Sequence, residues 1–285
     1  MIHVQPGLFL RHEPAAAPVP LLVDVSRSGR EYPPQYRTPL PFTTVHDNVS
    51  MYVDELWGGA PAAGATLLYC SFPNTWVDVN RSEADMDPAV VDGVWPHELK
   101  PTARTLEGLG LIKTKSRYGE PFQERKLTVA EIEERLAQYY RPYHAELKRV
   151  VDDLHARFGV LRQISCHCMS AVGAPTHPDA GKPRADFCVS DLKGRTASKE
   201  AMELVVETLR SYGYSVSVND PYVGNELIGR HGNPARGIDS IQVEINKKLF
   251  MDTQTFRKTA GFDKLKADLD YLLKVVAGAA LGQST

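Results

Sequence analysis

The chain has no run of eighteen consecutive apolar residues, so no segment of it reads as a membrane-spanning helix. Its opening, Met1-Ile2-His3-Val4-Gln5-Pro6, lacks a basic stretch leading into an apolar one, which speaks against a secretory leader. Excess charge is missing too: 33 Lys and Arg stand against 35 Asp and Glu, a formal net of -2. A nucleic-acid binder draws its affinity from clustered cations, so neither nucleic acid nor a membrane is an expected partner, and a small ligand is. Cysteine is scarce, with Cys70, Cys166, Cys168 and Cys188 in apolar surroundings and at no disulfide spacing; reduced thiols in a cytoplasm are the reading. Also absent is a glycine loop with the lysine of a phosphate cradle. Gly224 to Gly232 has the wrong spacing for a dinucleotide fingerprint, so no nucleotide cofactor is expected. No repeat and no compositional break divides the chain, which reads as a single domain, residues 1–285.

What the sequence does have is two strands of clear alternation. In Ile241-Gln242-Val243-Glu244-Ile245-Asn246 the aliphatic residues fall on one face, and Gln242, Glu244 and Asn246 share the other. In Ile164-Ser165-Cys166-His167-Cys168-Met169 the same period groups Ser165, His167 and Met169 and puts both thiols opposite. Cys-His-Cys on a strand therefore cannot wrap a zinc ion, whereas a lone strand-borne histidine suits a catalytic site assembled from several elements. A carboxylate on a rigid strand next to the core has the setting that raises its pKa towards neutrality, an effect that Lys247 and Lys248 would oppose.

Around these, Pro20 to Val25 and Ala65 to Phe72 read as buried strands, as do Ala185 to Ser190 and Tyr214 to Val218. Thr128 and Glu131 form a capping box. It opens a helix whose apolar positions recur to Phe158, interrupted near Pro142, with Tyr139, Tyr140 and Tyr143 read as core packing. Ser198 to Tyr212, closed by Gly213, and Thr255 to Val276 are the other long helices. Strands alternating with helices predict an α/β fold: a single three-layer α/β/α domain on a mixed, mostly parallel sheet, phosphorylase/hydrolase-like, with its site on loops at the carboxyl ends of the strands. The polar loops placed to do this are Ser26 to Arg30, Asp78 to Asp87, Met169 to Arg184 and Asn219 to Arg236.

Ser28-Gly29-Arg30-Glu31-Tyr32-Pro33, Tyr52-Val53-Asp54-Glu55-Leu56, Val77-Asp78-Val79-Asn80-Arg81, Tyr139 to His144, Cys166-His167-Cys168-Met169, Arg230-His231-Gly232 and Gln242 to Asn246 occur in this order. Together they resemble the N-formylglutamate amidohydrolase (deformylase) family, related to zinc carboxypeptidases and aspartoacylases, over almost the whole chain. The resemblance implies hydrolysis of the amide of an N-acyl amino acid or similar small carboxylate. It implies Glu244 as general base and His167 as a catalytic residue and metal ligand. Asn80 and Arg81 would hold the substrate carboxylate, with Arg230 and His231 near the substrate. A guanidinium fork is the natural partner of a carboxylate, and Asp78 and Asn80 are expected on one strand face with Val77 and Val79 inward.

The resemblance also implies zinc, and there this sequence departs from the pattern. Arg27 stands where the family has its first metal-binding histidine, and Ser50 stands at the acidic ligand position. Arginine cannot ligate zinc and a serine hydroxyl is a poor ligand. Substitute ligands would have to come from His46 and Asp47 or from His177 and Asp179. The alternative is a metal-depleted member that binds an anionic small molecule or runs a metal-independent reaction, with Arg27 joining Arg81 and Arg230 in a cationic pocket.

Overall fold

The computed structural model describes residues 1–282. In chain order the strands are β1 Ile2–Gln5, β2 Phe9–His12, β3 Leu21–Val25, β4 Thr66–Cys70, β5 Val91–Asp92, β6 Leu127–Thr128, β7 Leu161–Met169, β8 Phe187–Ser190, β9 Val216–Val218 and β10 Ile238–Asn246. The helices are α1 Phe42–Asp47, α2 Val53–Leu56, α3 Ala103–Leu106, α4 Val129–Arg135, α5 Arg141–Phe158, α6 Lys199–Ser211, α7 Glu226–His231 and α8 Gly261–Ala280. Eight strands form one sheet in the order β1-β2-β4-β3-β7-β10-β8-β9, and β5 and β6 pair separately. Parallel pairs are β3–β4, β3–β7, β7–β10 and β8–β9; antiparallel pairs are β1–β2, β2–β4 and β8–β10. The sheet is thus mixed and mostly parallel, as predicted, with antiparallel pairs towards the two edges.

The two faces of the sheet carry different cores. On one, Val23, Ile164, Cys166, Val243 and Ile245 pack under α2, α6 and α8. On the other, Leu22, Leu68, Leu161 and Ile238 meet α4 and α5 through Ile132, Leu147 and Val151. Beyond Leu161 and Ile238 at their starts, alternation along β7 and β10 sends Ile164, Cys166, Ile241, Val243 and Ile245 to the first face, so Gln163, Ser165, His167, Ser240, Gln242 and Glu244 run down the middle of the second.

The capping box at Thr128 and Glu131 starts α4 as read from the sequence, with both reciprocal hydrogen bonds made. The expected interruption is a π turn over Leu136–Tyr140, where the Arg141 N–H reaches back to Leu136 C=O. It lies just ahead of Pro142, whose ring would collide with the Gln138 carbonyl in a regular helix; the widened turn admits the proline without breaking the helix. Two expectations are corrected. The last helix starts at Gly261 and not at Thr255, because Asp252 accepts from the N–H groups of Gln254 and Thr255 and holds that stretch in a turn. Residues 77–80 are not a strand, although Val77 and Val79 do pack inward. Among the described residues no helix is long and apolar enough to cross a membrane.

Candidate active site

The parallel register of β7 and β10 sets Glu244 against His167 and Gln242 against Ser165, and β3 adds Asp24 against Ser165. Register partners in adjacent parallel strands point the same way, so the polar sides of both alternating strands make one buried row. An unpaired buried polar group costs roughly 2–7 kcal/mol, and here the row is bonded along its length except at His167 Nδ1, which has no partner. Gln163 Nε2 and Ser165 Oγ donate to the two oxygens of Asp24 at 2.8 and 3.0 Å. Ser165 Oγ is also 3.2 Å from His167 Nε2, and Gln242 Nε2 donates to Glu244 Oε1 at 3.3 Å. Burial pushes Asp24 up to about 7, against the hydrogen bonds from Gln163 and Ser165. The same desolvation, reinforced by Arg27, holds the His167 imidazole well below its usual pKa and therefore neutral.

Arg27 follows β3 in a turn that passes unusually close to the segment after β4, at Ser71 and Phe72. A Cβ on Gly29 would fall 2.0 Å from the carbonyl oxygen of Phe72, so only glycine fits there. Ser28 Oγ donates to Ser50 C=O at 2.6 Å, and the Ser50 N–H donates to Arg27 C=O at 2.9 Å, tying the turn to the segment before α2. So held, Arg27 grips Asp78 with Nε at 3.2 Å and Nη2 at 2.7 Å, leaving Nη1 unengaged. Burial disfavours both charges. Asp78 and then Glu244 more than offset this for Arg27, whose pKa is raised, while Arg27, Lys113 and Arg81 hold Asp78 below the ordinary carboxylate range. The Gly29→Ala variant is expected to lose at least about 2 kcal/mol in urea denaturation, because the backbone must move to admit the methyl group; unchanged stability would show that the turn has slack.

These groups open on a cavity of about 380 Å³ at the carboxyl ends of the central strands. Arg27, Arg81, Arg104, Arg117, Lys113 and Lys247 line it, together with Glu244 and Ser50. Burial pushes Glu244 up to about 7, against the pull of Arg27, Arg184, Arg104 and Arg81. The expected opposition from Lys247 and Lys248 is not how the carboxylate is tuned. Past the end of β10 both amines are engaged by other groups, Lys247 on Asp47 C=O at 2.9 Å at the cavity wall and Lys248 on Asp186 at 3.0 Å. Burial also brings Lys113 down to about 7 although Asp78 opposes it. The site therefore holds a carboxylate and an amine that both change charge near neutrality.

Of the residues singled out from sequence, Arg27, Ser50, Asn80, Arg81 and Glu244 line this one cavity. His167 lies beneath it at 1% exposure, with Asn80 Nδ2 3.4 Å from its Nε2. The expected clamp pair divides. Asn80 is fully used inside the protein, Nδ2 donating to Gln242 Oε1 at 3.1 Å and Oδ1 accepting from the Leu227 N–H at 3.0 Å. Arg81 uses only Nε, on Leu109 C=O at 2.9 Å, so its terminal nitrogens remain for a ligand. Arg230 and His231 are not brought to this cavity: short α7 carries them to a second one with Tyr140 and His144. Arg104, Lys113, Arg184 and Tyr222 were missed, since they come from loops with no period to betray them; their only signal was the loops' polarity.

Zinc requires three or four N, O or S donors around one point. Among the described residues no three His, Cys, Asp or Glu side chains form such a group. The substitute ligands do not converge. His46 Nδ1 sits 3.2 Å from the Tyr32 hydroxyl with its ring stacked on Phe42, while Asp47 is held by Arg117 and Asp179 by Arg184. His177 lines the cavity with Nδ1 unpartnered and is pulled down to about 3 chiefly by burial and then by Arg104 and Arg184, but among the described residues no further ligands converge on it. The residues present do not fit a zinc ion.

Comparison with known proteins agrees with the fold and with the family resemblance. Residues 19–251 match the model of the N-formylglutamate amidohydrolase family. The crystal structure of N-formylglutamate amidohydrolase from Ralstonia eutropha JMP134 superposes with a TM-score of 0.90 at 35% identity, covering 96% of this chain and 98% of that one. N-formylglutamate deformylase from Pseudomonas putida is 25% identical over 204 residues, 70% of each chain. A gene product of Agrobacterium tumefaciens shares the fold at a TM-score of 0.69 and 17% identity, over 96% of this chain and 95% of its own. The family is one of hydrolases acting on an amide, and the matches side with the amidohydrolase expectation over the anion-binding alternative.

Proposed function

Because the chain belongs to the N-formylglutamate amidohydrolase family, we propose that its cationic cavity hydrolyses the amide of a small, anionic N-acyl amino acid, with Glu244 as general base and no zinc. The observation that carries this is Glu244 itself: buried at 4% exposure, at about 7, in a cavity that guanidinium groups surround. A base works best when its pKa lies near the working pH.

In this reading Glu244 takes a proton from a water molecule whose oxygen adds to the acyl carbon. The charge that develops on the carbonyl oxygen meets the Arg27 guanidinium, fixed in place by Asp78, so little reorganisation is needed as the charge appears. Glu244 then returns the proton to the amide nitrogen as the C–N bond breaks, freeing a carboxylic acid and an amine. The open nitrogens of Arg81 bind a substrate carboxylate, with Lys113 and Arg104 beside it. His167 acts as a neutral group under Asn80 rather than as a metal ligand. Arg27 and Ser50 are read as replacements of two zinc ligands, which leaves the zinc site degenerate. A cytoplasmic setting belongs to the same reading and rests on four free cysteines.

The test is amine release from N-formyl and N-acetyl derivatives of glutamate and aspartate, assayed with and without a strong zinc chelator. Release that persists under chelation is the expected result. No release from any of the four would overturn the hydrolase, and loss under chelation that zinc restores would overturn its metal-free form.

A further inference from the structure

In Gly110-Leu111-Ile112-Lys113-Thr114 a lysine follows two aliphatic residues. Leu111 and Ile112 are buried in the core that α4 and α5 cover. Hydrogen bonds pin the segment: the Asp78 N–H donates to Leu111 C=O and the Leu111 N–H to Asp85 C=O, both at 2.9 Å, and Gln123 Nε2 donates to Lys113 C=O at 3.3 Å. The Lys113 side chain is thereby held in the wall of the cavity that contains Glu244, on a residue 7% exposed. Its Nζ makes no hydrogen bond or ion pair among the described residues, yet it is not sealed from solvent, so it opens on the cavity.

Asp78, the carboxylate that acts on this amine most strongly, is already taken. Its Oδ1 accepts from Arg27 Nε at 3.2 Å and from the Asn80 N–H at 3.1 Å, and its Oδ2 accepts from Arg27 Nη2 at 2.7 Å. Arg27, Arg81 and Arg104 add the fields of three cations. A buried ammonium with no acceptor beside guanidinium groups is costly, so the setting favours the neutral amine, and burial brings Lys113 to about 7. A surface lysine holds its proton to about 10. Lys113 thus carries a free lone pair in an accessible site, the condition of a nucleophile. The proposed hydrolysis leaves that lone pair unused.

The charge of the product selects the electrophile. An aldehyde or ketone would give an imine, whose reactive form is protonated and adds a cation to a wall that already repels one. Carbon dioxide gives a carbamate, a planar carboxylate that guanidinium groups bind in pairs of hydrogen bonds. Open donors are there to receive it: Arg81 has its terminal nitrogens free, Arg104 makes one contact of 3.5 Å with Thr176 C=O, and Nη1 of Arg27 is unengaged.

We propose that Lys113 is a carbamylation site, at which Nζ adds carbon dioxide and the guanidinium groups of Arg81 and Arg104 hold the carbamate formed. The lone pair of Nζ makes the N–C bond, one C–O π pair moves onto oxygen, and the nitrogen releases a proton to water; nothing is oxidised or reduced. The cations that keep the amine neutral also stabilise the anion it becomes. Carbamylation needs no hydrolase activity. If the hydrolase reading also holds, the carbamate takes the Arg81 nitrogens that a substrate carboxylate needs, and carbon dioxide competes with substrate.

Carbon NMR of the full chain under isotope-labelled carbon dioxide, with the lysine Nζ atoms labelled as well, tests the site without any turnover. One carbamate line split by a directly bonded lysine nitrogen is expected, with complete loss of that line in Lys113→Met. No split line, or a split line that survives in Lys113→Met, overturns the proposal. An unsplit line as the sole signal overturns it too, since that is bicarbonate held without a covalent bond or a carbamate on the N-terminal amine. If Lys113→Met does not fold, the unaltered chain is treated with an alkyl oxonium salt, which esterifies carbamates, and digested: peptide mass spectrometry finds the ester on Lys113, or the proposal fails.

Discussion

In the Glu244→Gln variant, amide hydrolysis falls by roughly 10²–10⁴-fold, while the folded chain becomes more stable at pH 8. The loss follows from removing the base. The gain follows from the same burial that tunes it. Glu244 has a folded-state pKa raised from 4.5 to about 7, so between those values the folded chain keeps a proton that the unfolded chain has released. Stability from this group is thus present at low pH, declines as pH rises from 4.5 to about 7, and stays reduced above. Glutamine cannot ionise and escapes that penalty, on the order of 3 kcal/mol. Urea denaturation of both proteins at pH 4 and pH 8 checks this: curves that coincide at acid pH and separate in favour of the variant at alkaline pH are expected. Equal rates for the two proteins would take Glu244 out of the chemistry. A variant less stable at pH 8 would mean that its pull on the arginines outweighs its desolvation.

Arg27→Met is expected to go the other way, costing about 3–5 kcal/mol at neutral pH. Asp78 is 0% exposed, and both its oxygens lean on Arg27. Its pKa lies below 3.8 in the folded state, so its stabilising share is present above that value and is lost as pH falls through the folded-state pKa. The deficit of the variant should therefore be largest near neutrality and shrink in acid, where an orphaned Asp78 takes up a proton. Adding Asp78→Asn should restore part of the loss, because it removes the stranded charge yet keeps an oxygen for the Asn80 N–H, now 3.1 Å away. A double variant no more stable than the single one would show that the guanidinium matters through packing alone.

Glu244 and His167 were legible because alternation is a strong local signal and a parallel register turns two local signals into one site. The sheet was legible on the same ground. Asp24 was not, since a lone carboxylate inside an apolar run gives no hint of the Gln163 and Ser165 that receive it. Asn80 and Arg81 are adjacent in sequence and alike in polarity, yet one is a strut and the other an open donor, which depends on α7 arriving to donate the Leu227 N–H. Arg230 and His231 line the second cavity rather than the first, and a six-residue helix carries too little pattern to reveal which side of the 79–81 segment it serves. Tyr140 and Tyr143 are core residues as their spacing suggests, but Tyr140 also reaches Arg81, a contact separated by 59 residues that no periodicity encodes.

The π turn at Leu136–Tyr140 amounts to one residue more than a regular helix would use. Deleting a residue there would swing everything downstream by about 100° around the helix axis. Tyr140 and His144 would sweep off the carbonyls of Arg81 and Val79 together, and the stripe that Tyr143, Leu147 and Val150 turn to the sheet would rotate with them. Both cavities are therefore set by one phase angle. Lineages that drift in length at this turn must re-phase the whole helix, so indels here should be rarer than point changes at any single wall residue.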